Sequence, residues 1–295
     1  MTPTVQARGI LGTAVDLAHL IRISHTIFSV PFALAAAAVA WIDHPIGWGQ
    51  ALLILGCLAT ARTAAMAYNR IADSDHDAKN PRTKHREIPR GVVSPKAAWA
   101  LTLASGAAFL VCATLLSPLC GALSLVALPL ALGYSKAKRF TWLCHFWLGV
   151  VLALAPIGAW VAITGRFDAF PLILGLGVVC WIGGFDITYG LADLEFDRKE
   201  GLHSFPVRWG PKVTIVTSRV LHVLAPALFL TAGLVAGRGI AYVAGVIACA
   251  IALLAGQIAT ARGAKGDAVL TANSWAALVF GIAAVVDVLV VGGGR

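Results

Sequence analysis

The chain has 295 residues, is 59% hydrophobic and 13% charged, and carries a formal net charge of +9 with a mean hydropathy of +0.82. A soluble domain carries about a quarter of its residues as charged side chains, so this composition leaves too little polar surface to cover its apolar mass and excludes an ordinary water-soluble fold. The excess base lies in short loops between apolar runs, which reads as membrane topology and argues against a nucleic-acid partner.

A membrane-crossing helix needs roughly 20 consecutive, mostly apolar residues. By that measure about nine spans are expected, at 18–41, 48–71, 97–116, 119–135, 141–163, 170–191, 213–236, 239–260 and 268–291. Only the turn Ser117-Pro118 divides the third from the fourth. The opening MTPTVQARG runs on to Asp16 and Arg22 with no small-residue cleavage site behind a short apolar core, so the first span is expected to be a retained helix. Lys and Arg crowd into the loops at 70–96, 136–139, 198–212 and 262–265, whereas the alternate loops hold Arg166 and Arg238. Basic loops stay on the cytoplasmic side. The N-terminus and the long loops are therefore expected in the cytoplasm, with the C-terminus outside. The cysteines, Cys57, Cys112, Cys120, Cys144, Cys180 and Cys249, form no C-x-x-C pair and read as small buried hydrophobes.

Nine of the 14 acidic residues fall in two regions, Asp73, Asp75, Asp77 and Glu87 in one and Asp186, Asp193, Glu195, Asp197 and Glu200 in the other. AMAYNRIADSDHDAKNPR closes the second span and TYGLADLEFDRKEG closes the sixth; both contain Ala-Asp-x-acidic-x-Asp. Asn69, Asp73 and Asp77 follow the i, i+4, i+8 spacing of one helix face, and Asp186, Asp193 and Asp197 follow i, i+7, i+11. Asp75 and Glu195 point elsewhere and are expected to be solvated. Stacked carboxylates repel one another, so a cation must offset them, and clustered carboxylate oxygens suit hard divalent ions such as Mg²⁺. Mg²⁺ characteristically binds through one or two carboxylates together with substrate phosphates. Nearby basic groups would then meet phosphate oxygens: Arg82, Lys84 and Arg86 after the first motif, Lys199 after the second, and Tyr134 and Lys138 in the loop between. A four-span unit occurring twice would bring the motifs together about a pseudo-twofold axis, as internal repeats do in other membrane proteins.

Arg62 lies two turns before Asn69 on the same face of an apolar run. A buried arginine needs an anion, either an acidic side chain of the protein or the carboxylate of a substrate. Asp186 could hold a substrate hydroxyl or assist proton loss. Arg22 and His25 in the first span are further candidates, with interfacial snorkelling the plain reading of Arg22. His145 and His222, on apolar helices, read as packing residues. The tryptophans near helix ends read as interfacial anchors, and GGF at 183–185 as close helix packing.

The residues also carry a resemblance. Asn69, Asp73 and Asp77 match the Asn-x-x-x-Asp-x-x-x-Asp pattern of the UbiA superfamily of intramembrane prenyltransferases, and Asp193 and Asp197 match its second Asp-x-x-x-Asp. SHTIFSVPFA at 24–33, NPRTKHREIPRG at 80–91, YSKAKRFTW at 134–142 and EFDRKEGLHSFPVRWG at 195–210 extend the likeness over nearly the whole chain. It is most similar to the quinone branch, which includes 4-hydroxybenzoate polyprenyltransferases, and ARTAAMAYNR, NPRT and FDRKEGLHS also resemble the futalosine-pathway menaquinone prenyltransferases.

The resemblance implies an all-α integral membrane bundle forming one domain over 1–295, with cytoplasmic cap loops at 70–96 and 192–212. It implies Mg²⁺ held by Asn69, Asp73, Asp77, Asp193 and Asp197. Arg82, Lys84, Tyr134, Lys138 and Lys199 would hold the diphosphate of a polyprenyl donor, and Arg62, Asp186 and Arg22 an aromatic acceptor. The acceptor is expected to be 4-hydroxybenzoate or 1,4-dihydroxy-6-naphthoate, and the site is expected to face the cytoplasm from the inner (plasma) membrane. A cation-coupled transporter is the alternative of another class. Its acids would sit at the bilayer midplane, whereas these lie at the expected cytoplasmic ends.

Overall fold

Each apolar run expected to span a membrane is helical wherever it is described, because a helix pairs every backbone polar group within its own segment. The structure is a computed structural model that describes Leu20 and residues 29–262 and 267–292; no strand occurs among them. The helices are α1 (Val30–Trp41), α2 (Trp48–Ala72), α3 (Ser74–Lys79), α4 (Pro95–Leu116), α5 (Pro118–Ala137), α6 (Cys144–Thr164), α7 (Ala169–Tyr189), α8 (Leu194–Lys199), α9 (Phe205–Val235), α10 (Ile240–Ala261) and α11 (Asp267–Gly292), with a 3₁₀ turn at Gly190–Asp193.

Eight described helices are long and apolar enough to cross a membrane, and the 12-residue α1 is the described part of the expected first span. Large apolar side chains such as Leu103, Leu115, Val223 and Leu234 are more than half exposed, as lipid-facing residues must be and as a soluble surface would not tolerate in such number. One boundary differs from expectation. The seventh span was expected from 213, but helix begins at Phe205; Gly210, at φ 76°, and Pro211 break it, so the long straight part starts close to the expected place.

The chain divides into two compact units, Met1–Thr26 with Leu52–Lys136, and Ile27–Ala51 with Ala137–Arg295. In the second unit, helices pack pairwise around a closed ring: α1 on α6, α6 on α7, α7 on α9, α9 on α10, α10 on α11, and α11 back on α1. At its centre Phe32 lies 5.1–5.2 Å from the rings of Trp181, Phe229 and Phe280. Polar side chains tie the ring together where lipid-like surroundings make an unpaired group costly. Trp181 Nε1 donates to Asn273 Oδ1 at 2.8 Å. Ser218 Oγ donates to the Gly184 carbonyl at 2.6 Å, and Gln257 Nε2 reaches Ser218 Oγ and His222 Nδ1 at 2.7 and 2.9 Å. Both helices that hold α7 from behind thus bond to its backbone or to each other. Gly149 lets α6 close on α7, since a Cβ there would stand 2.9 Å from the Val179 carbonyl oxygen.

In the first unit α2, α4 and α5 contact one another through Tyr68 against Trp99 (ring centroids 5.5 Å apart) and through Gly106 beside Leu128. The segment after α3 is a series of hydrogen-bonded turns. Its Ile88 and Val93 pack on Ala67 and Ile71 of α2 and Ala98 of α4. Arg70, expected to be a loop residue, is instead buried in the last turn of α2, with Nε 3.3 Å from the Leu20 carbonyl oxygen.

At the other end of the second unit, Asp287 of α11 is 1% exposed and accepts hydrogen bonds from the Gly239 and Tyr242 amides at 2.9 and 3.1 Å. A carboxylate of one helix therefore caps the N-terminus of another. Asp287→Ala strands both amides and should destabilise the protein by about 1–2 kcal/mol, read as a lower melting temperature in detergent. Asp287→Asn, which keeps one acceptor oxygen, should lose less.

Candidate active site

The two aspartate motifs share one local conformation. The first was expected to run along an uninterrupted helix, but α2 ends at Ala72 and α3 begins at Ser74, so Asp73 occupies the break with φ −97° and ψ 0°. In the second, α7 gives way to the 3₁₀ turn, and Asp193 occupies the next break, before α8, with φ −104° and ψ 4°. Both values lie in the sparsely occupied bridge region, where many active-site residues sit. Each motif thus places its first aspartate at a bend and its second, Asp77 or Asp197, in a six-residue helix. The bends also remove the electrostatic difficulty of a carboxylate on a helix C-terminus, because Asp73 and Asp193 each precede a new helix start. Asp75 and Glu195 are exposed, as their spacing suggested.

The second aspartate of each motif is buried against a base. Arg86 Nη1 lies 2.8 Å from both Oδ1 and Oδ2 of Asp77, with the aspartate side chain 7% exposed. Lys138 Nζ lies 2.8 Å from Asp197 Oδ2, and that side chain is 1% exposed. The lysine meets Oδ2 as an ion pair, and Oδ1 has no hydrogen-bond partner among the described residues. Burial works against the Lys138 charge more than any other single cause, but the carboxylates of Asp197 and Asp193 together outweigh it and hold its pKa above the ordinary lysine value. Local backbone bonds set these partners. Arg82 N–H donates to Asn80 Oδ1, folding the turn that brings Arg86 back, and His203 N–H donates to the Lys138 carbonyl at 2.7 Å, fastening the loop after α5 to the loop after α8.

The remaining candidates separate. Asn69 Nδ2 donates to Asp73 Oδ2 at 2.9 Å, which leaves its amide oxygen as the group to offer a cation. Arg62, half-buried on α2, is within electrostatic reach of Tyr134 on α5. Arg82, Lys84 and Lys199 are exposed. Asp186, on α7 one stretch before Asp193, accepts from His145 of α6, with Nδ1 and Oδ2 2.6 Å apart. His145 thus has a polar partner on the neighbouring helix. Arg22 and His25 lie outside the described residues.

Sequence reasoning named Arg86 only as a phosphate candidate and gave Asp197 no partner. Nothing periodic links Asp77 to a residue across a turn, or Asp197 to another loop.

The donors suit a hard divalent cation. They are carboxylate and amide oxygens, and the buried Asp197 Oδ1 lacks a hydrogen bond among the described residues. Among the described residues no three His, Cys, Asp or Glu side chains form a cage of their own.

Comparison with known proteins gives concordant results. Residues 29–279 match the UbiA prenyltransferase family. A 4-hydroxybenzoate octaprenyltransferase of Shewanella sediminis is 33% identical over 186 residues, covering 63% of this chain and 65% of that protein. The apo structure of a UbiA homolog from Aeropyrum pernix K1 superposes with a TM-score of 0.83 and 34% identity, covering 90% of this chain and 98% of that one. A UbiA homolog from Archaeoglobus fulgidus bound to GPP and Mg²⁺ shares the fold, with a TM-score of 0.68 at 20% identity over 92% and 99% of the two chains.

Lys138→Met removes the counter-charge of a nearly inaccessible carboxylate. It should cost about 1–3 kcal/mol in metal-free buffer, below the full value of a buried pair because the lysine is partly solvated. The folded pKa of Lys138 is raised, so the pair's contribution is present below the ordinary lysine pKa of about 10.4 and is lost only as pH climbs through the higher folded value. Melting temperatures should therefore differ between wild type and variant at neutral pH and converge in strong alkali.

Proposed function

The chain belongs to the UbiA prenyltransferase family, and from that membership we propose that it transfers a polyprenyl group from polyprenyl diphosphate to 4-hydroxybenzoate, with Mg²⁺ as cofactor. The observation that carries the reading is the duplicated motif: two aspartate pairs, each at the same kind of helix break and each with its inner carboxylate against a base. The Shewanella sediminis relative, a 4-hydroxybenzoate octaprenyltransferase, supports the acceptor, and the GPP and Mg²⁺ bound by the Archaeoglobus fulgidus homolog support the donor and the metal.

Asn69, Asp73 and Asp77 would hold one Mg²⁺, and Asp193 and Asp197 a second. Bound there, Mg²⁺ supplies Lewis-acid neutralisation of the diphosphate. The chain's own groups do the rest. Arg82, Lys84, Tyr134, Lys138 and Lys199 donate to diphosphate oxygens as negative charge builds on the leaving group. The allylic C–O bond breaks with its electron pair leaving on the diphosphate. The electron-rich ring of the acceptor attacks the resulting cation through carbon, and the ring proton is lost to restore aromaticity. Arg62 pairs with the acceptor carboxylate, and Asp186 faces its hydroxyl and reacting carbon. The loops at 70–96 and 192–212 cap the reaction against water, which would otherwise quench the cation. The whole chain works as one catalytic domain, in the inner (plasma) membrane, with the reacting groups on the cytoplasmic side; the basic loops support that orientation.

The test is a prenyl-transfer assay on the purified protein with Mg²⁺, geranyl or longer polyprenyl diphosphate, and 4-hydroxybenzoate beside 1,4-dihydroxy-6-naphthoate. Product with the benzoate supports the reading. A clear preference for the naphthoate moves the acceptor to the menaquinone type, and no transfer with any aromatic overturns the proposal. Asp193→Ala should lower turnover by about 10²–10³. Arg62→Ala should cost roughly 2–4 kcal/mol in acceptor kcat/KM while sparing the KM of the prenyl diphosphate. Intact acceptor kinetics in that variant would make Arg62 a structural group.

A further inference from the structure

Two histidines sit on membrane-spanning helices of the second unit, and their surroundings differ in kind. His222 is satisfied at both ring nitrogens: Nε2 lies 3.2 Å from the Trp181 carbonyl oxygen and Nδ1 lies 2.9 Å from Gln257 Nε2. That is the arrangement of a helix staple, a side chain whose polar atoms all serve packing. His145 is satisfied at one. Nδ1 lies 2.6 Å from Asp186 Oδ2, while Nε2 is buried with no hydrogen-bond partner among the described residues.

The pair has a direction. The imidazole side chain is 5% exposed and the aspartate side chain 23%, so the histidine is the more deeply buried partner of the two. The far edge of the imidazole lies against Gly190, where a Cβ would come within 3.0 Å of Cε1 and 3.5 Å of Nε2. Gly190 opens the 3₁₀ turn that ends at Asp193. One ring therefore touches the Asp186 carboxylate on one side and the backbone leading to the second aspartate motif on the other. A side chain at 190 would crowd the ring.

Resting on the prenyl-transfer reading, we propose that His145 is the positioning residue for the proton-accepting step: its Nδ1–H takes one oxygen of Asp186 and so aims the carboxylate, leaving the other oxygen for the acceptor. When the new C–C bond has formed, the ring carbon that made it still carries its hydrogen. That C–H bond breaks, its electron pair returns to the ring, and the proton passes to Asp186. A donor on one carboxylate oxygen fixes the orientation of the other, the role an orienting partner plays in other acid–base pairs. His145 acts through Asp186 and need not touch substrate. A simple staple also accounts for the 2.6 Å contact, and kinetics separate the two roles.

The experiment uses the full-length protein in detergent with Mg²⁺, geranyl diphosphate and 4-hydroxybenzoate, each substrate varied in turn. His145→Leu should lower kcat about 10- to 100-fold, the loss expected for a hydrogen bond to a charged group, with the KM of geranyl diphosphate unchanged. His145→Asn places an amide N–H where Nδ1–H stood and should recover most of the loss. His145→Gln reaches past that position and should behave as His145→Leu, so it serves if the leucine variant does not fold. The double variant His145→Leu with Asp186→Asn should lose no more than Asp186→Asn alone, because the two act as one unit. His222→Leu, the staple control, should lower the melting temperature without that kinetic pattern. Wild-type kcat in His145→Gln, no recovery in His145→Asn, or losses that simply add in the double variant would each reduce His145 to a staple while the prenyl-transfer reading stands. A wild-type protein inactive on every aromatic acceptor would overturn both.

Discussion

The structure depends on how two carboxylates are kept out of water. Asp77 and Asp197 are almost wholly inaccessible, and an isolated ionised carboxylate in such surroundings is too costly to persist. Each is met by one base, Arg86 or Lys138, drawn in from a loop by backbone hydrogen bonds. The loops are thus electrostatically committed to the motifs. The turns after α3 fold back because Arg86 must reach Asp77, and the segment after α5 is tied to the loop after α8 because Lys138 must reach Asp197. A buried pair of this kind adds little net stability against an apolar substitute, whereas removing one partner is strongly destabilising.

The two bases also differ in a way that bears on chemistry. Arg86 takes both oxygens of Asp77 with one nitrogen, whereas Lys138 pairs with Oδ2 of Asp197 and leaves Oδ1 without a hydrogen-bond partner among the described residues. A lysine is a compact point charge on a flexible stem, able to turn toward an arriving anion, while an arginine holds a fixed geometry. On these grounds the second motif is the more adaptable and the first the more preset. The polar bonds that fix α7, from Ser218 to the Gly184 carbonyl, from His222 to the Trp181 carbonyl and from the Trp181 indole to Asn273, then hold the helix that presents Asp186 and leads into Asp193.

Most of the fold was legible in the sequence because its signals are local. A run of about 20 apolar residues must be a helix in lipid whatever its neighbours are, and the expected spans differ from the helices by a few residues at most positions. The larger difference, the start of α9 at Phe205, arises because a stretch with Arg208, Lys212, Gly210 and Pro211 is too polar to read as a span, yet its first turns are still helical. The motif spacing was equally readable. The bend was not: nothing in Ala-Asp-Ser-Asp forces a break at Asp73 while the flanking residues remain helical on both sides, and helical spacing alone made the three polar residues one continuous face.

What the sequence determined by itself is the set of membrane helices, the identity and spacing of the aspartates, and through them the family. Hydropathy and i, i+4 spacing need only neighbours along the chain. What the tertiary structure alone decided is which base answers which acid. His145 and Asp186 are 41 positions apart, on two helices whose approach is set by Gly149, and no periodicity joins them. Side chains on separate helices meet only after the helices have packed, and in an apolar interior the energy of leaving a polar atom unmatched is what selects the partner.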